Sequence, residues 1–322
     1  DTTNIELVRG YGLCYTVSAP LFIFSSSLQS FIRNDKSPRH AMIAVLTGSG
    51  LNILLDYLFI FVFKMGMFGA SFATSIGTSI TVCILVIHFF TKKNTMRFSF
   101  RFFSIKALWE IAKCGFSSFL IECANAVLVF VFNHTLLKYI GSVGVTVYSI
   151  MSNVAVVCMS LFNGVTLAAQ PIIATNHGAD NHKRVLQVRH IGTITSSVIA
   201  VIIFCIGFFF PDLLIYSYVK GPTPEILELA RYALRIYFFA YLFMNFNIFF
   251  SGYFQSTLRP VAAITIQILR SLLLSSVLVS VLPMIFGADA IWYAVPVTEC
   301  ITFFVAMAFL FFGKFQKTKE AK

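Results

Sequence analysis

The feature that most constrains this chain is a series of long apolar runs separated by short polar segments. A run of about 20 apolar residues is long enough to cross the hydrocarbon core of a bilayer as a helix. Charged residues make up only 11% of the 322 residues, whereas a soluble domain carries about 25%. We therefore predict an all-α integral membrane protein with nine transmembrane helices, at 11–32, 41–63, 67–90, 108–138, 142–172, 190–219, 231–257, 261–286 and 291–313.

Basic residues are concentrated in alternate connections between these spans. If nine spans alternate in direction, one side of the membrane carries most of the 24 Lys and Arg residues, in segments 33–40, 92–113, 183–189, 259 and 314–322. By the positive-inside rule this side is cytoplasmic. The net charge of +11 therefore indicates topology. We expect the lipid bilayer, and no nucleic acid, to be the partner of these basic loops.

Two distant stretches of the chain repeat the same features in the same order. Residues 6–9 (ELVR) recur at 228–231 (ELAR), and the Gln-Ser pair of segment 29–38, with its Arg and Pro, recurs in 255–260. An offset of about 220 residues holds six spans with their loops, so both copies keep one orientation, as in parallel transporter repeats. We therefore predict a two-lobe plan: a partial first lobe of three helices at 1–91, a cytoplasmic linker at 92–107, a complete six-helix lobe at 108–313 and a basic cytoplasmic tail at 314–322.

Five motifs, taken in order, resemble the multidrug and toxic compound extrusion (MATE) family of transporters. They are R-N-D-x-x-P-x-x-A-M at 33–42, G-x-x-x-N-I-x-x-D at 48–56, F-G-A-x-x-A-T at 68–74, A-A-Q-P at 168–171 and N-x-G-A-x-x-x-x-R-V at 176–185. The family has twelve helices in two six-helix lobes, so the resemblance implies that this chain corresponds to helices 4 to 12. We expect three further helices before Asp1, and we expect that these 322 residues alone do not catalyse efflux.

Asp56 is the first candidate for ion coupling. A carboxylate in the middle of an apolar run costs roughly 2.5–3.5 kcal/mol on insertion, so it is retained for a purpose. Asn52 lies one turn earlier and therefore shares a helix face with it. Asn52, Asp56 and Thr74 match a polar network in the N-lobe of proton-coupled MATE members, so the resemblance implies an ion-coupling site. The structural alternative is a helix–helix hydrogen bond between Asp56 and a small polar neighbour.

Glu122 is the second candidate, in the middle of the span 108–138. It matches the helix-7 glutamate that the resemblance implicates in cation binding, although Ser117 replaces a proline common in the family. No basic residue lies within a turn of Glu122, and an unpaired intramembrane carboxylate is expected to face a cavity. A structural polar contact is the alternative.

Five further residues are candidates for a substrate cavity in the second lobe. Glu299 lies near the start of the last span, where an interfacial position would also fit, and Arg270 lies inside a span and needs a partner carboxylate, either Glu122 or Glu299. Asn245 and Asn247, together with the aromatic ring of Tyr241, could form a cavity wall, because aromatic rings attract organic cations. The alternative for this group is ordinary packing, with Arg270 in a structural ion pair.

The leading hypothesis is a secondary active multidrug efflux antiporter that exchanges organic, often cationic, compounds for protons or sodium ions. We predict no enzymatic activity, no catalytic residues, no bound metal and no cofactor besides the coupling ion. We also predict a monomer that spans the bacterial inner membrane. Three alternatives stay open: an exporter of lipid-linked intermediates or polysaccharide, a membrane-embedded enzyme, and a non-transporting fragment.

Overall fold

A computed structural model describes residues 2–92, 94–96, 104–219 and 221–320, and every regular element within these ranges is helical. Side chains are not described at 2–10, at 312–320 and at some positions between 107 and 124. The repeat residues 6–9, Ser117 and the tail 314–322 are therefore described in backbone at most, and the middle of the predicted linker, 97–103, lies outside the described residues. The chain divides into a first unit, Asp1–Phe103, and a second unit, Ser104–Lys322.

The first unit contains three helices, and its chain reversals follow from proline and glycine. The helices are α1 (Thr2–Asn34), α2 (Pro38–Tyr57), which continues into a π-helical turn at Leu58–Val62, and α3 (Gly66–Ile87), which ends in a 3-10 turn at His88–Phe90. Proline occupies the first position of α2, where its missing N–H has no helical partner to lose. Gly66 adopts a φ of +57° at the start of α3, a conformation that glycine reaches without steric cost.

Two glycines bring the backbones of α2 and α3 into direct contact. A Cβ atom added at Gly48 would lie 1.8 Å from Thr81 Oγ1 and 2.7 Å from the Gly77 carbonyl oxygen. A Cβ added at Gly77 would lie 2.9 Å from Asn52 Cβ. Small residues permit such close approach between membrane helices. As a result, Asn52 is held in the α2–α3 contact.

The described residues of the second unit form nine α-helices. They are α4 (Ile105–Tyr139), α5 (Ser142–Gly178), α6 (His182–Phe209), α7 (Pro211–Tyr218), α8 (Pro224–Phe238), α9 (Tyr241–Ser256), α10 (Pro260–Ile268), α11 (Leu274–Phe286) and α12 (Ala294–Glu320). A π-helical turn at Leu269–Leu273 joins α10 to α11, and a 3-10 segment at Ala288–Tyr293 precedes α12. Helix α9 is central, because it packs against α5, α6, α10 and α12.

Six helical segments of the described chain are long and apolar enough to cross a membrane: Pro38–Val62, Gly66–Phe90, Ser142–Gly178, His182–Phe209, Pro260–Phe286 and Ala288–Phe311. A seventh is obtained if α8 and α9, which meet at 45°, form one bent span. The predicted spans 11–32 and 108–138 lie in α1 and α4, which are not among these segments. The all-helical, multi-span class is confirmed, whereas the number of nine stays a prediction.

The two chain reversals identified as a sequence repeat also share a local conformation. Lys36 and Leu258, each two residues before a proline, have φ values of 57° and 56°. Pro38 then begins α2 and Pro260 begins α10. Both copies of the repeat therefore contain a left-handed residue two positions before a helix-initiating proline.

Candidate functional site

Asn52 and Asp56 place unpartnered polar atoms in the first unit. Both side chains are half-buried on α2. Asn52 Nδ2 and Asp56 Oδ1 are enclosed and have no hydrogen-bond partner among the described residues. Asp56 lies in the last turn of α2, directly before the π-helical turn at Leu58–Val62, an irregularity that is frequent at functional sites. The pair is therefore free to bind a proton or an ion.

Thr74 lies on α3 but takes no hydrogen bond from the pair. Its hydroxyl donates to the carbonyl oxygen of Ala70, one turn earlier in its own helix, at 2.9 Å. Thr74 precedes Gly77 by three residues, so both lie on the same side of α3, and Gly77 is the residue that contacts Asn52. The structure thus places Thr74 near the predicted network while leaving its hydroxyl satisfied locally.

Glu122 is exposed on α4. Among the described residues, Asn125 Nδ2 donates a hydrogen bond to Glu122 Oε2 at 3.5 Å. The helical spacing of three residues between them makes this a neighbouring pair on one face. Arg270 does not pair with Glu122.

Arg270 pairs with Glu299 instead. Arg270 Nε lies 2.9 and 3.0 Å from the two carboxylate oxygens of Glu299, and Arg270 Nη2 lies 2.8 Å from Oε1. Glu299 is 3% exposed and Arg270 is 9% exposed, so both side chains lie inside the helix packing of the second unit. The depth of Glu299 in the membrane stays a prediction.

Asn247 completes this buried cluster. Its Nδ2 donates to Glu299 Oε2 at 2.7 Å and to the Glu299 carbonyl oxygen at 2.9 Å. It is fully buried on α9. The cluster thus ties α9 to α12 and to the π-helical turn that carries Arg270. Breaking one side of a buried ion pair costs roughly 3–5 kcal/mol, so the arrangement is a rigid one.

Two hydroxyl residues beside the cluster were not foreseen. Ser275 Oγ donates to the Arg270 carbonyl oxygen at 2.6 Å and to Thr298 Oγ1 at 3.3 Å. The carbonyl of Arg270 needs this partner because the wider π-helical turn disturbs the regular pattern of backbone hydrogen bonds. Serine and threonine are common throughout the apolar runs, so no sequence signal distinguished these two.

Asn245 and Tyr241 lie inside the helix packing. Asn245 Nδ2 donates to the carbonyl oxygens of Tyr241 and Leu242, and Ser196 Oγ donates to Asn245 Oδ1 at 3.3 Å. The ring of Tyr241 is fully buried and packs against Phe238, with centroids 5.1 Å apart. In this structure both side chains join α9 to its neighbours, and their predicted contact with substrate stays a prediction.

A further polar cluster, in the first unit, was missed by the sequence analysis. Asp35 Oδ2 lies 2.8 Å from His88 Nε2, and both side chains are buried. Thr95 donates to the same carboxylate from its backbone N–H, at 3.1 Å, and from its hydroxyl. These donors, Thr95 Oγ1 first and His88 next, lower the pKa of Asp35 from 3.8 to about 2. The partners are more than 50 residues apart in the chain, and no pattern in the sequence links them.

The carboxylates inside the predicted spans therefore differ in their surroundings. Glu299 is neutralised by Arg270, whereas Asp56 has an enclosed oxygen without a partner. An enclosed carboxylate oxygen without a hydrogen-bond donor can take a proton or a cation as its partner. Among the described residues no three His, Cys, Asp or Glu side chains converge closely enough to hold a metal ion. The arrangement suits the exchange of one proton or one monovalent cation at Asp56.

Comparison with known proteins identifies the family. The sequence profile of the MatE family matches residues 114–281, which is just over half of the chain. The chain belongs to the MatE family. The match covers α4 to most of α11 of this MatE protein, including Glu122, Arg270 and the whole of α9. Membership also agrees with the resemblance seen in the motifs, and it establishes a multi-pass membrane protein.

Curated relatives of this MatE protein include the multidrug export protein MepA of two Staphylococcus species. The protein from Staphylococcus saprophyticus is 27% identical over 297 residues, which cover 92% of this chain and 65% of that protein. The protein from Staphylococcus aureus strain MSSA476 is 23% identical over 318 residues, which cover 96% of this chain and 68% of that protein. The chain thus spans about two thirds of the length of these relatives. The share is slightly below two thirds for the protein from Staphylococcus saprophyticus.

Solved structures share the fold of this MatE protein. A MOP superfamily transporter from Pyrococcus furiosus Vc1 superimposes with a TM-score of 0.89 at 20% identity, over 99% of this chain and 71% of that chain. A multidrug resistance MATE family transporter in its outward-facing conformation gives a TM-score of 0.87 at 20% identity, over 98% and 70%. At this level of identity the likeness establishes the fold alone.

Proposed function

We propose that this MatE protein is a secondary active exporter that exchanges organic, often cationic, compounds for protons or sodium ions across the bacterial cytoplasmic membrane. Membership of the MatE family and the names of the Staphylococcus relatives support the export of drug-like compounds. The apolar helices support a site of action within the bilayer. The proposed substrates are small organic molecules, and the proposed coupling ion is a proton or a sodium ion.

The observation that carries the coupling proposal is the enclosed, unpartnered Oδ1 of Asp56. In the second unit Glu299 is paired with Arg270. Asp56 Oδ1 has no charged or hydrogen-bonding partner among the described residues, so a proton or a sodium ion can serve as the partner of this oxygen. Asn52, one turn earlier on the same face and also without a partner at Nδ2, is placed to donate to the ionised carboxylate.

Coupling requires that ion binding and drug binding favour different states of the protein. A ligand shifts a conformational equilibrium only by its differential affinity for the two states. An ionised Asp56 attracts an organic cation, whereas a protonated Asp56 does not. Because coupling between two ligands is reciprocal, a drug that favours the ionised state also promotes release of the proton.

Glu122 is the second carboxylate of the proposed mechanism. It lies in the second unit, exposed and without a basic partner among the described residues. We assign it to cation binding, of either the coupling ion or the drug. The cluster of Arg270, Glu299 and Asn247 is assigned a structural role, because its charges compensate each other inside the helix packing.

Export of an anionic lipid-linked intermediate or polysaccharide is less well supported. Such cargo calls for unpaired cations deep within the membrane. Arg270 is the basic residue that lies deep within the spans of the described chain, and Glu299 neutralises it. The cluster therefore offers no net positive charge to an anionic cargo.

Substitution of Asp56 by Asn tests the proposed function. In drug-sensitive bacteria that carry the protein as its gene encodes it, we expect the wild type to lower ethidium accumulation and Asp56→Asn to abolish this effect. The amide cannot release or bind a proton, so each transport cycle loses its driving ion. Accumulation is measured by fluorescence and normalised to the amount of protein in the membrane.

Asp180→Asn is the matched control. Asp180 is an exposed carboxylate with a φ of 53°, a conformation that Asn tolerates well, so we expect full efflux. Undiminished efflux by Asp56→Asn would remove Asp56 from the mechanism. Absence of efflux by the wild type for several organic cations would contradict the proposed function itself.

A further inference from the structure

A basic cavity lies in the first unit where the connection between α1 and α2 meets the end of α3. Its volume is about 480 Å³, within the range of small-molecule sites. The lining residues are Lys36, Ser37, Pro38, Arg39, His40, His88, Thr91 and Lys92. Three of them are cations, two are histidines and none is acidic, so the cavity favours an anion.

The cations of this cavity are available to a ligand. Lys36, Arg39 and Lys92 are exposed, and none of them forms an ion pair among the described residues. The neighbouring carboxylate of Asp35 is buried and already accepts hydrogen bonds from His88 and Thr95. Asp35 therefore forms no ion pair with the three cations, and the cavity keeps a net positive charge.

The first turn of α2 adds to this potential. Pro38 and Arg39 begin α2, and no side chain caps this end of the helix. Pro38 has no N–H, and the N–H groups of His40 and Ala41 donate to the Ser37 carbonyl oxygen. The first turn therefore contributes the positive end of the helix dipole, which attracts anions. The cavity thus combines side-chain cations, the hydroxyl group of Ser37 and a helix N-terminus at one place.

The cavity lies at the ends of two membrane spans. The segments apolar enough to cross the membrane begin at Pro38 and end at Phe90 here, and Phe90 is 85% exposed. An exposed phenylalanine beside these cations fits the boundary between the lipid acyl chains and the headgroups. The positive-inside rule assigns this end to the cytoplasmic side, where basic pockets between membrane helices bind anionic headgroups.

We propose that this cavity is a binding site for a phosphate-bearing anion, with the headgroup of an anionic phospholipid or a free phosphate as its two sources. A phosphate placed between Arg39 and Lys92 accepts charge-assisted hydrogen bonds from both. Ser37 supplies a neutral hydroxyl beside it, whereas the Thr91 hydroxyl already donates to the His88 carbonyl oxygen at 2.8 Å. Occupancy neutralises the cytoplasmic end of the first unit and joins the start of α2 to the end of α3.

The test titrates the purified, detergent-solubilised protein with three probes: short-chain phosphatidylglycerol, phosphatidylcholine with the same chains, and inorganic phosphate. Binding is followed by thermal unfolding and by native mass spectrometry. The double variant Arg39→Gln/Lys92→Gln removes two cations from the cavity. Lys36 is left unchanged because its φ of 57° would add a backbone effect to the change of charge.

The control Lys106→Gln/Lys183→Gln removes the same charge from exposed residues of the second unit. Each basic residue near an anionic surface contributes roughly a fivefold factor in affinity. We therefore expect Arg39→Gln/Lys92→Gln to weaken binding of phosphatidylglycerol about 30-fold and the control to change it less than about twofold. Phosphatidylcholine is expected to bind more weakly than phosphatidylglycerol.

The probes also distinguish the two sources of phosphate. A loss of affinity confined to phosphatidylglycerol supports a lipid site, and the same loss for inorganic phosphate supports a site for the free anion. The proposal is overturned if neither probe depends on Arg39 and Lys92, or if the control weakens binding equally. If the double variant does not fold, Lys92→Gln alone is expected to weaken binding about fivefold, and unchanged binding overturns the proposal.

Discussion

At the scale of single residues, the surroundings of a carboxylate decide what it can do. Asp56, Glu299 and Asp35 all lie among or beside apolar helices, yet each has a different set of partners. Asp56 Oδ1 has no hydrogen-bond partner among the described residues, Glu299 is neutralised by Arg270, and Asp35 is held by His88 and Thr95. The sequence predicted that Asp56 and Glu299 lie in spans. It narrowed the partner of Arg270 to Glu122 or Glu299 but could not choose between them, because the contact joins distant parts of the chain.

Asp35 is expected to make stability depend on pH in the acid range. Its pKa is lowered from 3.8 to about 2, so the folded state favours the ionised carboxylate. The stabilisation of the folded state by the ionised Asp35 carboxylate is fully present above pH 3.8. It is lost as the pH falls through about 2. We predict that Asp35→Asn lowers the unfolding temperature at pH 5 to 7, and that its difference from the wild type shrinks towards pH 2.

Thermal unfolding of the solubilised protein at several pH values measures this difference. Asp180→Asn, at an exposed carboxylate, serves as the control and is expected to follow the wild type throughout. A difference between Asp35→Asn and the wild type that stays constant down to pH 2 would contradict the ionised contact.

At the scale of elements, the apolar runs predicted where most helices lie, and their irregularities were missed. The predicted spans 41–63 and 67–90 correspond closely to Pro38–Val62 and Gly66–Phe90. The predicted span 231–257 is instead two helices, α8 and α9, which meet at 45°. The break falls at Phe239 and Ala240, where neither glycine nor proline marks it. The π-helical turns likewise lack such a residue, because packing against neighbouring helices determines them.

Close packing of α2 on α3 leads to a prediction for Gly77. A Cβ atom added at Gly77 would lie 2.9 Å from Asn52 Cβ and 2.9 Å from the Gly48 carbonyl oxygen. Since Gly48 O and Asn52 Cβ are backbone or near-backbone atoms, the helices must separate. Overpacking of this kind costs about 1–3 kcal/mol. We predict that Gly77→Ala lowers the unfolding temperature and impairs efflux by moving Asn52.

Gly50→Ala is the matched control on α2, because a Cβ added there would meet nothing within 4 Å. We expect this variant to unfold at the wild-type temperature or slightly above, since alanine favours the helix. If both variants have the same stability and efflux, the close α2–α3 contact is not required.

At the scale of the whole molecule, the order of motifs was more informative than any single one. The family resemblance depended on five motifs between Arg33 and Val185, and the MatE profile confirms the family over residues 114–281. The boundary between the two compact units falls within segment 92–107, which was predicted as a linker on its basic composition. The repeat around Pro38 and Pro260 was visible in the sequence through its Gln-Ser pair, Arg and Pro, whereas the left-handed positions before the prolines hold the unlike residues Lys36 and Leu258. Substrate contacts left no such pattern.

The central claim, that drug export is coupled to an ion through Asp56, is tested most directly in proteoliposomes with a pH-sensitive dye inside. Addition of an organic cation such as ethidium on one side is predicted to cause proton movement in the opposite direction with the wild type, and none with Asp56→Asn. A sodium gradient replaces the proton gradient in a parallel measurement. Ethidium transport by the wild type without movement of either ion, or coupled movement that persists in Asp56→Asn, would contradict the account.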